Sequence, residues 1–115
     1  MQQKYEGILG QIKQVLQEED LMGLIKMGAP TDEYDHEALM IFERSYRFDS
    51  IDTIKDKLWD IFYIQFCYGT VYKMIDGELK EVYKEVVPRE EADRQIGLKN
   101  KYSDAATKIH KILNP

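Results

Sequence analysis

Thr70-Val71-Tyr72-Lys73-Met74-Ile75-Asp76-Gly77-Glu78-Leu79-Lys80-Glu81-Val82-Tyr83-Lys84-Glu85-Val86 is the stretch on which the fold class turns. It supports two readings. Asp76-Gly77 is a good two-residue hairpin turn, with a strand on either side. Val71, Ile75, Leu79, Val82 and Val86 instead keep a helical period straight across that dipeptide. The unbroken period favours a helix capped by Thr70 and ended by Pro88.

The flanking sequence is helical in period as well. Tyr5, Ile8, Leu9, Ile12, Val15 and Leu16 recur at steps of three and four, predicting a first helix near residues 2–18. Gly7 and Gly10 lie one turn apart within it, and close approach of another helix would explain them. An apolar connector, Leu21-Met22-Gly23-Leu24-Ile25, closes at Met27-Gly28 and should pack on the body. Thr31 or Asp32 starts a second helix with Tyr34, Ala38, Ile41, Phe42 and Ser45 inward. Asp49 or Ser50 caps a third, whose inner face runs Ile51, Ile54, Leu58, Ile61, Phe62 and Gln65 and which Gly69 ends. Its last two turns are apolar nearly all round, the mark of an element covered by the core or by a partner. Ser103 caps a closing helix with Ala106, Ile109, Ile112 and Leu113 inward. The expected fold is all-α: one helical domain over 1–115, an irregular bundle of four to five helices.

Composition bounds the function. The chain has 115 residues and a net charge of −5, held unevenly. Residues 1–60 carry thirteen acids against seven Lys and Arg, and residues 61–115 eight against nine. An acidic half repels phosphate, which argues against nucleic acid and for a basic protein surface as partner. Cys67 is the only cysteine, so no internal disulfide or cysteine metal cluster forms, which suits a reducing compartment. No basic-then-apolar leader opens the chain. The apolar run Ile61–Tyr68 is far shorter than the ~20 residues of a membrane span. These features predict a cytoplasmic protein that does not engage a membrane.

The densest group of titratable side chains is Asp32-Glu33-Tyr34-Asp35-His36-Glu37. Acids in a first helical turn interact favourably with its free N–H groups, which alone accounts for them. Two functional readings stand beside that one. Asp32, Glu33, Asp35 and Glu37 would form an acidic ridge for a protein partner, joined by Trp59 and Tyr63 as aromatic anchors near Asp52, Asp56 and Asp60. Alternatively Glu33 and His36, at Glu-x-x-His spacing, would share a helix face and hold one metal ion with a further carboxylate. A full di-metal site is absent, because His110 is the only other histidine and Thr107 stands three residues before it.

No Gly-x-Ser-x-Gly elbow or lysine-bearing phosphate loop occurs, and neither histidine has an evident nucleophile beside it. The chain is expected not to be an enzyme and to need no cofactor. The leading expectation is a protein-binding module. The alternative is a metal- or small-molecule-binding domain, and a homodimer through the apolar end of the third helix is compatible with either.

Asp20-Leu21-Met22-Gly23-Leu24, Gly28-Ala29-Pro30, Asp32-Glu33-Tyr34-Asp35 and Glu37-Ala38 together resemble a small helical family of unknown function from Bacillus-like Gram-positive bacteria. The resemblance covers roughly residues 5–69, with Leu21 standing where the family usually has proline. It implies an all-helical fold and no activity. Proteins of this size and acidity in such bacteria include toxin-immunity and inhibitor proteins, an analogy that suggests an immunity or regulatory inhibitor role.

Overall fold

The computed structural model describes residues 2–115, with side chains from Gly7 onward, so the expected inward position of Tyr5 lies outside the described side chains. The elements are α1 (Gln2–Glu19), α2 (Asp35–Arg44), α3 (Ile51–Cys67), β1 (Tyr68–Ile75), β2 (Glu78–Glu85), α4 (Asp93–Ile96) and α5 (Ser103–Leu113). Two 3₁₀ turns, Arg89–Glu91 and Lys99–Tyr102, flank α4. The helices close a ring in which α1 meets α2, α2 meets α3, α3 meets α5 and α5 meets α1. Inside it lies one core built on Ile12, Leu16, Tyr34, Ile41, Ile54, Leu58, Phe62, Tyr102 and Ile109.

The expected all-α bundle is wrong in one segment, and that changes the fold class to α+β. Residues 70–86 do not form a fourth helix. They form most of an antiparallel hairpin in which Val71 pairs with Val82 and Met74 with Leu79. Asp76 and Gly77 take φ of 52° and 80°, the doubly left-handed geometry of a type I′ turn. Local energetics favour this outcome. A mid-helix glycine costs about 1 kcal/mol relative to alanine, whereas Gly77 is at ease in the turn. Val and Tyr, present in both strands, pack well on a pleated surface. The helical period has a simple origin, since Val71 and Val82 are strand partners eleven residues apart, close to three helical turns.

Helix starts also depart from expectation. Ser50 does cap α3, its hydroxyl accepting from the Thr53 N–H, while Asp49 accepts from the Tyr46 N–H and the Lys57 ammonium. Neither Thr31 nor Asp32 starts α2, which begins at Asp35 without a side-chain cap. Ser103 is the first residue of α5 rather than its cap. The apolar connector packs on the body as expected, with Leu21 buried and Met22, Leu24 and Ile25 against the core. The apolar end of α3 is covered by the chain itself, with Ile61, Phe62, Tyr63 and Cys67 all buried.

Gly7 and Gly10 are exposed, and a Cβ on either would meet nothing within 4 Å. Among the described residues no helix packs against them, so they only weaken α1. Gly10→Ala should therefore stabilise the protein by about 0.5–1 kcal/mol, read as an increased midpoint in chemical denaturation at unchanged slope.

Candidate functional site

The segment richest in titratable groups is chiefly a structural knot. Asp20 follows α1 with φ of 44°, a left-handed turn that its short polar side chain tolerates. Its carboxylate accepts from the Tyr34 hydroxyl at 2.6 Å and from the N–H groups of Ile25 at 3.1 Å and Lys26 at 2.9 Å. The Tyr34 oxygen in turn accepts from the N–H groups of Met22 and Leu24. Four amides of an irregular connector are thus satisfied by two side chains, with the Tyr34 ring sunk in the core against Phe62. Burial raises the Asp20 pKa, but the hydrogen bonds from Tyr34 and the connector amides outweigh it and hold the carboxyl below its ordinary range. Burial and the Asp20 hydrogen bond push the Tyr34 phenol up to about 12.

The acids around this knot do not form one surface. Asp32 and Glu33 are exposed in the turn before α2, and Asp35 lies 3.6 Å from Lys13 of α1. Glu37 is 5% exposed, and its burial raises the carboxyl pKa. Glu33 precedes α2, its N–H bonded to the Pro30 carbonyl, so Glu33 and His36 do not share a helix face as expected. Among the described residues no group of three or more His, Cys, Asp or Glu side chains is placed to hold a metal ion.

Trp59 and Tyr63 are 4% and 1% exposed. Their rings stack at 5.6 Å, one turn apart on α3, as the spacing implies. The expected aromatic patch exists, but the chain covers it. The Trp59 indole donates to the Gly97 carbonyl at 2.9 Å, and the Tyr63 hydroxyl to that of Val87 at 3.2 Å. Arg89 lies over both rings and pairs with Asp60 at 2.9 Å, while Lys99 lies over Trp59 and pairs with Asp56 at 3.4 Å. The basic complement expected of a partner is supplied by the segment 87–99.

Among the described residues the hairpin, which the helical reading missed, carries the largest group of exposed apolar side chains. Cys67 passes directly into β1 with no loop, and the N–H groups of Val86 and Val87 return to the Cys67 carbonyl. Tyr83 fastens the base by donating to the Ile64 carbonyl at 3.1 Å. Its ring lies 5.5 Å from that of Tyr68, which in turn meets Tyr63 edge-on. Beyond this base both faces are solvent-exposed. The register sorts the side chains. One face bears Tyr72, Met74, Leu79 and Tyr83, each 60–67% exposed, with Glu81 and Glu85. The other bears Lys73, Lys80 and Lys84 around the Val71–Val82 pair. Period-two sorting of tyrosine and lysine about Asp76-Gly77 was the signal available for finding it.

Comparisons with protein-family models, with curated proteins and with solved structures each found no match. No helix among the described residues is long and apolar enough to cross a membrane.

The charged groups at the knot give a defined pH response. Glu37, raised by burial, adds stability below its unfolded value of about 4.3 that is lost as pH rises through the folded value. Glu37→Gln should therefore exceed wild type in stability at neutral pH and converge with it below about pH 4. Tyr34 contributes stability that is complete below about pH 10 and is lost as pH rises through the folded value. Tyr34→Phe should lose about 1–3 kcal/mol at neutral pH by stranding the amides of Met22 and Leu24. It should also show a flatter alkaline limb in denaturation series against pH.

Proposed function

We propose that this chain is a non-enzymatic protein-binding module of the cytoplasm, an immunity or regulatory inhibitor protein that docks on a basic, partly apolar protein surface. The observation that carries this reading is the tyrosine face of the hairpin. It places four large, mostly exposed side chains beside two glutamates and no lysine. Exposed Tyr and Met give large contact area, and the glutamates favour a cationic partner. The hairpin takes the role expected of Asp32, Glu33, Asp35, Glu37, Trp59 and Tyr63. Of these, Glu37, Trp59 and Tyr63 are buried and Asp35 faces Lys13. The lone, buried Cys67, with its thiol pKa pushed up by burial, supports a reducing compartment.

The test is capture on immobilised protein, comparing wild type with the double variant Leu79→Lys, Glu81→Lys and with Asp32→Lys, Glu33→Lys as control. A stoichiometric protein retained by wild type and the control but lost by the hairpin variant, with association slowing as salt rises, is expected. Equal retention by the hairpin variant would remove the docking role from this face.

A further inference from the structure

We infer that the basic, apolar surface received by the hairpin is presented by a second copy of this chain, at Tyr46-Arg47-Phe48. The inference rests on the reading of the hairpin as a docking arm and adds the identity of its partner. Between α2 and α3, Tyr46 and Phe48 stack with ring centroids 5.4 Å apart and planes 7° off parallel. Phe48 is 86% exposed and Tyr46 56%. Arg44 and Arg47 beside them are exposed, and neither forms an ion pair among the described residues. This knob is aromatic and cationic, and the tyrosine face of the hairpin is aromatic and anionic. Each supplies what the other lacks.

Their placement suits a closed pair. The knob precedes the first turn of α3 and the hairpin continues from its last, so the two patches lie at opposite ends of a 17-residue helix, about 25 Å long. Two copies with α3 antiparallel would bring the hairpin of each to the knob of the other. A two-fold axis then makes both contacts at once and leaves neither patch free to propagate a chain.

The area is sufficient. At roughly 200 Å² for a fully exposed large side chain, Tyr72, Met74, Leu79 and Tyr83 offer about 500 Å², and Tyr46 with Phe48 about 280 Å². Because the smaller side limits each contact, two such contacts would bury at most about 1,100 Å² in total, the size of a weak, reversible interface.

Sedimentation velocity on the full chain over a concentration series tests this, with circular dichroism confirming that each variant is folded. Wild type should show a monomer–dimer equilibrium with no larger species. Phe48→Ser and Leu79→Lys, both at exposed positions, should each weaken the dimer about tenfold or more. Glu81→Arg and Arg47→Glu should each weaken it, and the two together should recover at least half of the combined loss. A wild type that stays monomeric throughout overturns the inference. If its hairpin variant nevertheless loses a captured protein, the docking role stands with a foreign partner. A dimer indifferent to Phe48→Ser and Leu79→Lys, a ladder of larger species, or a charge-reversed pair that recovers nothing overturns it equally.

Discussion

The hydrogen bond between the Tyr34 hydroxyl and the Asp20 carboxylate is the constraint on which the helical body depends. In the connector from Leu21 to Thr31, backbone turns satisfy the amides of Gly23, Met27, Gly28 and Ala29 but not those of Met22, Leu24, Ile25 and Lys26, and its apolar side chains must lie against the core. Buried amides without partners would cost more than the burial of Leu21 and Leu24 returns. Asp20 and Tyr34 resolve this by accepting from four of them. Because Asp20 follows α1 and Tyr34 directly precedes α2, the same contact sets how the second helix leaves the first. The acidic segment earns its composition here. Tyr34 makes the knot, Asp35 reaches Lys13 on α1, Glu37 is buried, and Asp32, Glu33 and His36 are exposed.

A second joint works by the same logic along the C-terminal half of α3. The segment 87–99 folds over Trp59 and Tyr63. Arg89 is suited to that place because a guanidinium can stack on both rings while its edge meets Asp60. Had these rings been left bare among Asp56 and Asp60, the surface would invite any cationic partner. Internal cover removes that liability, and among the described residues the mostly exposed aromatic rings are those of the knob and the hairpin.

Much of the body was legible from residue spacing because its helices are amphipathic. The stripes Ile12–Leu16, Ala38–Ile41 and Ile54–Leu58–Ile61 are buried where the period puts them. The hairpin was not legible by that criterion, and the reason is geometric. A two-residue turn pairs residues whose numbers have a constant sum, so valines placed opposite each other fall at an odd separation set by their distance from the turn. Here that separation mimics three helical turns. The decisive signals were local ones, Gly77 within the run and Asp76 before it, together with the tyrosines and lysines that alternate faces. The covering of Trp59 was illegible for another reason. Which segment lies over a ring depends on tertiary packing, and neither Arg89 nor Gly97 signals its role by type or spacing.

An exposed two-stranded ribbon is at best marginally stable in water. This one has further burdens, since Lys73 and Lys80 face each other across the strands and both edges offer unpaired backbone groups. It is held by its base, through Tyr83, Tyr68 and the amides returning to Cys67, and by a turn whose conformation its residues already prefer. Those devices hold the base of the tyrosine face and leave its outer part, Tyr72, Met74 and Leu79, exposed. Lysines on the opposite face keep that side wet and soluble, and charge on β2 discourages indiscriminate pairing along its edge. A ribbon anchored at one end, solubilised on one face and left apolar on the other is organised to be completed by contact. Within this chain, the surface with the complementary charge and a matching aromatic pair is the knob at the far end of α3, which a single copy cannot bring to its own hairpin without dismantling the helix between them.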